Sequence, residues 1–169
     1  MTAAVTLEEL LAWNEQSSRC WKAHLDANPT LLHLPFDVGG TTDVLNFIRH
    51  IWVAELRWAQ RLAGLPVQDP GRIPAGPLDV LFALHLQATQ IFRSLSAAPQ
   101  EFWNDPFVID IDFVPAEERA IPRRRVAAHA LFHSQRHWAQ LATIIPTDGF
   151  TWQFRADLLF KGSDQLPQR

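Results

Sequence analysis

The stretch Val126-Ala-Ala-His129-Ala-Leu-Phe-His133-Ser-Gln-Arg-His137-Trp-Ala-Gln140-Leu141-Ala-Thr-Ile144 decides how the chain is read. Val126, Ala130, His133, His137, Leu141 and Ile144 recur at helical spacing, so one stripe of a long helix carries apolar side chains and two histidines together. Residues i and i+4 of a helix stand one above the other, which aims the imidazoles of His133 and His137 at one locus, where neutral ring nitrogens can share a transition metal. Such a pair is also compatible with two surface histidines or two hydrogen-bonded core ones. Burial favours the metal, because two imidazoles on an apolar seam each need a polar partner and one cation satisfies both.

Three more stretches share the helical period. Thr6-Leu7-Glu8-Glu9 reads as a capping box opening a first helix, with apolar Leu10, Leu11, Trp13 and Trp21, that runs to about Ala27 before Asn28-Pro29 stops it. A second helix starts after Thr41 or Thr42. Its stripe is Val44, Leu45, Ile48, Trp52, Glu55, Ala59 and Leu62, with Phe47, His50, Ala54 and Trp58 adjoining, and Gly64 ends it. A helix apolar over so much of its girth is central, or packs on both the bundle and a second subunit. Leu78, Leu81, Phe82, His85, Ala88, Phe92 and Leu95 mark a third helix, ending near Ala98-Pro99. Pro122 suits the first turn of the fourth, which runs to about Ile145 before Pro146.

Between these helices, residues 31–38 contain Pro35 and close on Gly39-Gly40, a loop or short irregular packing segment. Pro66, Pro70, Gly71, Pro74, Gly76 and Pro77 make residues 65–77 a rigid crossover loop. Residues 107–113 alternate enough for a short extended segment or hairpin before Pro115, and the apolar tail 150–160 is expected to pack across one bundle end. The prediction is an all-α single domain over residues 1–169: a four-helix bundle with a long crossover loop and a short extended segment between its third and fourth helices.

Composition narrows the function. Lys plus Arg total 15 against 18 Asp plus Glu, a net charge of −3, so there is no basic excess for gripping nucleic acid. The one basic cluster, Arg123-Arg124-Arg125, reads as a solvated face or as a hold on an anionic substrate. A lone cysteine, Cys20, rules out an internal disulfide and a thiolate metal site, and fits a buried inert thiol. No apolar run approaches the roughly 20 residues that cross a bilayer, and the expected location is the cytoplasm. With no tyrosine, proton transfer falls to His, carboxylates or metal-bound water.

Inward-facing residues of a bundle can supply a metal site. His129, His133 and His137 share a ridge, but each four-residue step turns about 40° around the helix, so one metal takes two of them. The third ligand must come from another helix, and His50 and His85 are the candidates deep inside one; His24 and His33 are weaker. His85 also fits a satisfied core histidine, and His129 a residue of the pocket or one that supports a ligand.

These residues carry a resemblance. Asn46-Phe47-Ile48-Arg49-His50-Ile51-Trp52 with Glu55 and Arg61-Leu62, the segment from His129 through His133 and His137 to Gln140, and the closing Asp157-Leu158-Leu159-Phe160 resemble the DinB/YfiT-like family of metalloenzymes over nearly the whole chain. The resemblance implies a four-helix bundle with unusual crossover connectivity, a homodimer, and His50, His133 and His137 as ligands of zinc or nickel. Gln140 matches the family's polar residue after the last ligand. Trp138 and Ala139 depart from an Arg-Gly often found there.

Three histidines leave a coordination position open, the pattern of catalytic rather than closed structural sites. By resemblance, the implied reaction is transfer of a low-molecular-weight thiol, as a metal-bound thiolate, to a small electrophile. Hydrolysis by metal hydroxide is the alternative, with Glu55, Glu117 or Glu118 as base. A non-catalytic dimeric bundle with a small-ligand pocket is the other.

Overall fold

The computed structural model describes residues 5–109 and 115–145; the tail 150–160 and the later part of the extended stretch 107–113 lie outside them. Thr6 opens α1 (Leu7–Ala27) through a reciprocal cap: its hydroxyl accepts from the Glu9 N–H at 3.2 Å, and Glu9 Oε2 accepts from the Thr6 N–H at 2.9 Å. α2 (Val44–Leu62) begins one residue later than the threonines suggested, because the Asp43 carboxylate caps it, accepting from the Asn46 N–H at 2.8 Å. α3 (Leu78–Ser96) and α5 (Arg123–Ile144) complete the long helices, with a short α4 (Gln100–Asn104) between them that the periodicity did not mark. Pro122 sits at the N-cap of α5 rather than inside its first turn.

The chain is mostly helical but not wholly so. β1 (Pro35–Val38) and β2 (Thr41–Asp43) form a small antiparallel hairpin where a loop was expected. Gly39 and Gly40 turn it, at φ +62° and +85°, backbone that side-chain-bearing residues rarely adopt. β3 (Pro106–Val108) pairs with β4 (Ala120–Pro122) in a second two-stranded sheet, so the extended segment between the third and fourth long helices is real and finds its partner just before α5.

α2 packs against both α3 and α5, and α1 packs against the same two, so α1 and α2 face each other across the core. The apolar interior falls into two clusters. One holds Trp21 and Leu25 of α1, residues 44–53 of α2, residues 78–82 of α3, and Trp138 and Leu141 of α5. The other holds Leu10 and Leu11, Leu56 to Leu62, Ala88 and Phe92, and Val126 to Leu131. The order in which each helix visits the two clusters gives its direction: α2 and α3 run the same way, α1 and α5 the other way. Parallel neighbours need a connection that returns along the bundle. Residues 63–77 supply it, since at up to about 3.3 Å per residue they easily span a helix about 28 Å long. Among the described residues no helix is long and apolar enough to cross a membrane.

A polar layer separates the two clusters, with one residue from the middle of each long helix. Gln135 Nε2 donates to Asn14 Oδ1 at 2.9 Å, Asn14 Nδ2 donates to Glu55 Oε1 at 2.8 Å, and His85 Nδ1 lies 2.6 Å from Glu55 Oε2. Ser17 adds a longer bond to Gln135 at 3.3 Å. Glu55 and His85 are almost fully buried, and such groups are tolerable in a core only when paired. A one-turn slip of any helix would unpair this chain, which therefore sets the register of the bundle.

Candidate metal centre

His133 and His137 stand one turn apart on α5, and His50 reaches them from α2, the two helices being packed neighbours. Each of the three offers a ring nitrogen within 4.8 Å of the others'. The ring centroids lie 4.2 Å apart for His133 and His137, 5.3 Å for His50 and His133, and 5.1 Å for His50 and His137. Exposure is graded across the cluster: His137 is buried, His133 half-buried and His50 open to solvent.

Hydrogen bonding sorts the nitrogens. The Gln140 carbonyl oxygen can only accept, so at 2.6 Å it takes the Nδ1–H of His137 and leaves that ring's Nε2 with its lone pair free. That Nε2 faces His133 Nε2 at 3.0 Å. Two nitrogens bound tetrahedrally to zinc at about 2.0–2.1 Å would sit roughly 3.3 Å apart, so the pair is close to ligand spacing. His133 Nδ1 is buried without a hydrogen-bond partner among the described residues, which leaves the Nε2 contact with His137 as the ring's one hydrogen-bonding contact among them.

Electrostatics keep the rings neutral. Burial, then the charges of His137, His50, Arg136 and His129, push His133 down to about 3. Although part of its surface stays open to solvent, His50 is lowered by desolvation of the rest first and then by His137, Arg136 and Arg49. His137 is also lowered, chiefly by burial, against the opposing pull of its bond to Gln140. Neutral imidazole is the ligating form, so the donor set suits a borderline divalent transition metal.

The other sequence candidates divide clearly. His129 is exposed, its ring 6.0 Å from that of His133 and edge-on to Trp58 at 5.6 Å. Desolvation of the covered part of its ring lowers its pKa, helped by Arg136. His85 and Glu55 belong to the polar layer, not to the three-histidine cluster. Glu117 and Glu118 are exposed on a 3-10 turn.

Trp138, which follows His137, turns into the core and stacks on Trp21 at 5.6 Å. Ala139 is exposed. Of the arginine cluster, Arg123 braces α4 through the Phe102 carbonyl and ring, and Arg124 bonds Asn104. Cys20 is half-buried, and burial raises its thiol pKa.

Asn14 and Gln135 escaped the sequence reading. Their signal was polar residues on buried stripes: Asn14, Ser17 and Ser18 interrupt that of α1, and Gln135 lies between the two histidines. No family model, curated protein or solved structure matches the chain.

Proposed function

We propose that the protein is a metal-dependent enzyme of the DinB/YfiT-like kind, in which His50, His133 and His137 hold zinc or nickel and a low-molecular-weight thiol is transferred to a small electrophile. The observation that carries this reading is the convergence of three neutral histidines from two helices within 4.8 Å. The shared direction of α2 and α3, with its long return loop, supports the family's crossover bundle. The resemblance extends the proposal to a cytoplasmic homodimer acting on a small molecule.

A divalent cation on three imidazoles keeps a coordination position open and lowers the pKa of a thiol or water that enters it. The chain's own residues supply the rest. Gln140 fixes the tautomer and orientation of His137. Phe47, edge-on to the His137 ring at 5.0 Å, walls the cluster on its inner side. His50, the open ligand, faces a pocket through which a substrate can arrive. Among the described residues no carboxylate lines that pocket, and the carboxylate of Glu55 is engaged by Asn14 and His85. A coordinated thiol, like coordinated water, needs no protein base to become a nucleophile, and the choice of thiol transfer over hydrolysis rests on the resemblance.

Elemental analysis of the purified chain beside its His50→Ala and His133→Ala variants tests the reading. About one transition metal per chain in the parent, lost in both variants, supports it and directs assays to thiol transfer. Absence of metal after reconstitution with zinc or nickel overturns it in favour of a helical binding module.

A further inference from the structure

The pocket beside His50 has a volume of about 490 Å³, and its wall includes Thr41, Thr42, Asn46, Arg49, His50 and Arg57. Among the described residues no Asp or Glu lines it, in a chain whose acids outnumber its Lys and Arg by 18 to 15. The two arginines are differently placed. Arg49 is committed to the chain: its Nε donates to the Ile73 carbonyl at 2.5 Å and its Nη2 to that of Pro70, which pins the crossover loop to α2. Arg57 makes no hydrogen bond or ion pair among the described residues, and its Nε is buried without a partner.

Seven residues separate Arg57 from His50, almost two full turns, so both project from the same face of α2 and lie roughly 10 Å apart along its axis. Arg136, exposed on α5, adds positive potential felt by His50, His129, His133 and His137. Three neutral imidazoles would leave a bound cation's charge uncompensated. A partly desolvated guanidinium then faces the same cavity, and no described residue of the pocket wall neutralises either charge.

We propose that this pocket is an anion subsite, taking a substrate whose carboxylate or phosphate pairs with Arg57 while its reacting end lies at the three histidines. The inference rests on the metal reading above and names the substrate class for it: a small molecule that carries a carboxylate or phosphate at the end away from its coordinating atom. Arginine's planar fork matches either oxyanion through paired hydrogen bonds.

The test uses two thiols of equal length, ω-mercaptohexanoate and ω-mercaptohexanol, titrated calorimetrically into the zinc-loaded chain, its Arg57→Gln variant and its Arg57→Lys variant. A charge-assisted bond of about 1.5–3 kcal/mol corresponds to an acid-over-alcohol preference of at least about tenfold in the parent. That preference should vanish in Arg57→Gln and survive in part in Arg57→Lys, which also guards against misfolding of the first variant. Equal affinity for acid and alcohol in the parent, or a preference untouched by Arg57→Gln, overturns the subsite and leaves the metal reading standing. Should the chain take up no zinc, the metal reading falls alone, and thermal denaturation of the metal-free protein with inorganic phosphate decides the subsite. A rise in Tm that Arg57→Gln abolishes supports it, and no such rise overturns it.

Discussion

His85 and His133 both occupy inner stripes of long helices, yet their surroundings differ in kind. His85 is fully buried in the middle layer, its Nδ1 against Glu55, and Glu55 is held in turn by Asn14. His133 sits two residues, about half a turn, from the layer's Gln135 on α5, clustered with His137 and with His50 of the pocket wall, its own Nδ1 unpartnered among the described residues. The first arrangement pairs one ring nitrogen, Nδ1, with a carboxylate, and its Nε2 is buried without a hydrogen-bond partner or a second histidine beside it among the described residues. The second leaves nitrogen lone pairs converging on one locus, which is what a ligand site requires and a structural contact avoids. The two are joined through Gln135, which lies between His133 and His137 and donates to Asn14. The polar layer thus holds α5 against the helix that carries His50.

If that contrast is right, damage to the two regions should separate. The largest effect is expected from Glu55→Ala, which strands His85 and Asn14 in the core and should cost about 3–5 kcal/mol of folding free energy. Urea denaturation reads this, and a loss below about 1 kcal/mol would show that the layer does not set the register. Gln140→Ala should act in the opposite sense: metal affinity falling about 10–100-fold in chelator competition, with little change in the stability of the metal-free chain.

Acid should distinguish the regions next. His133 has a folded-state pKa near 3 against an ordinary 6.5, so between those values the unfolded chain binds more protons at this residue than the folded one. Its contribution to metal-free stability is therefore present above about pH 6.5 and lost as pH falls toward 3. The slope is at most about 1.4 kcal/mol per pH unit for one residue, reduced by solvent screening at this half-buried site. His133→Ala should flatten that part of the stability–pH curve, and an unchanged curve would refute the assignment. The smallest effect belongs to Ser17→Ala, which removes the long bond to Gln135 and should cost about 0.5–1.5 kcal/mol without altering metal content.

Much of this was legible in local sequence. The capping box at Thr6, the apolar stripes of the long helices and the stops at Asn28-Pro29 and Gly64 depend on residues within a turn or two of one another, and the structure places them as read. The small sheets were harder. Gly39-Gly40 signalled a turn, but strands as short as β1 and β2 carry too few residues for alternation to show, and β4 pairs with β3 only through chain reversal.

The sequence by itself determined that His133 and His137 share a helix face, because a period of 3.6 residues is a local property that needs no partner. It left His50 and His85 equal as a third ligand from spacing alone, each lying well inside an amphipathic helix. Tertiary structure brings His50, and not His85, into the cluster with His133 and His137. The rotation of α2 about its axis aims His50 at α5, while α3 delivers His85 to the layer where Glu55 receives it. The same packing brings Arg57 and His50 to one pocket and joins Asn14 to Gln135 across the core. Such meetings depend on helix order, direction and register, which arise from burying all the apolar stripes at once and are written in no single segment.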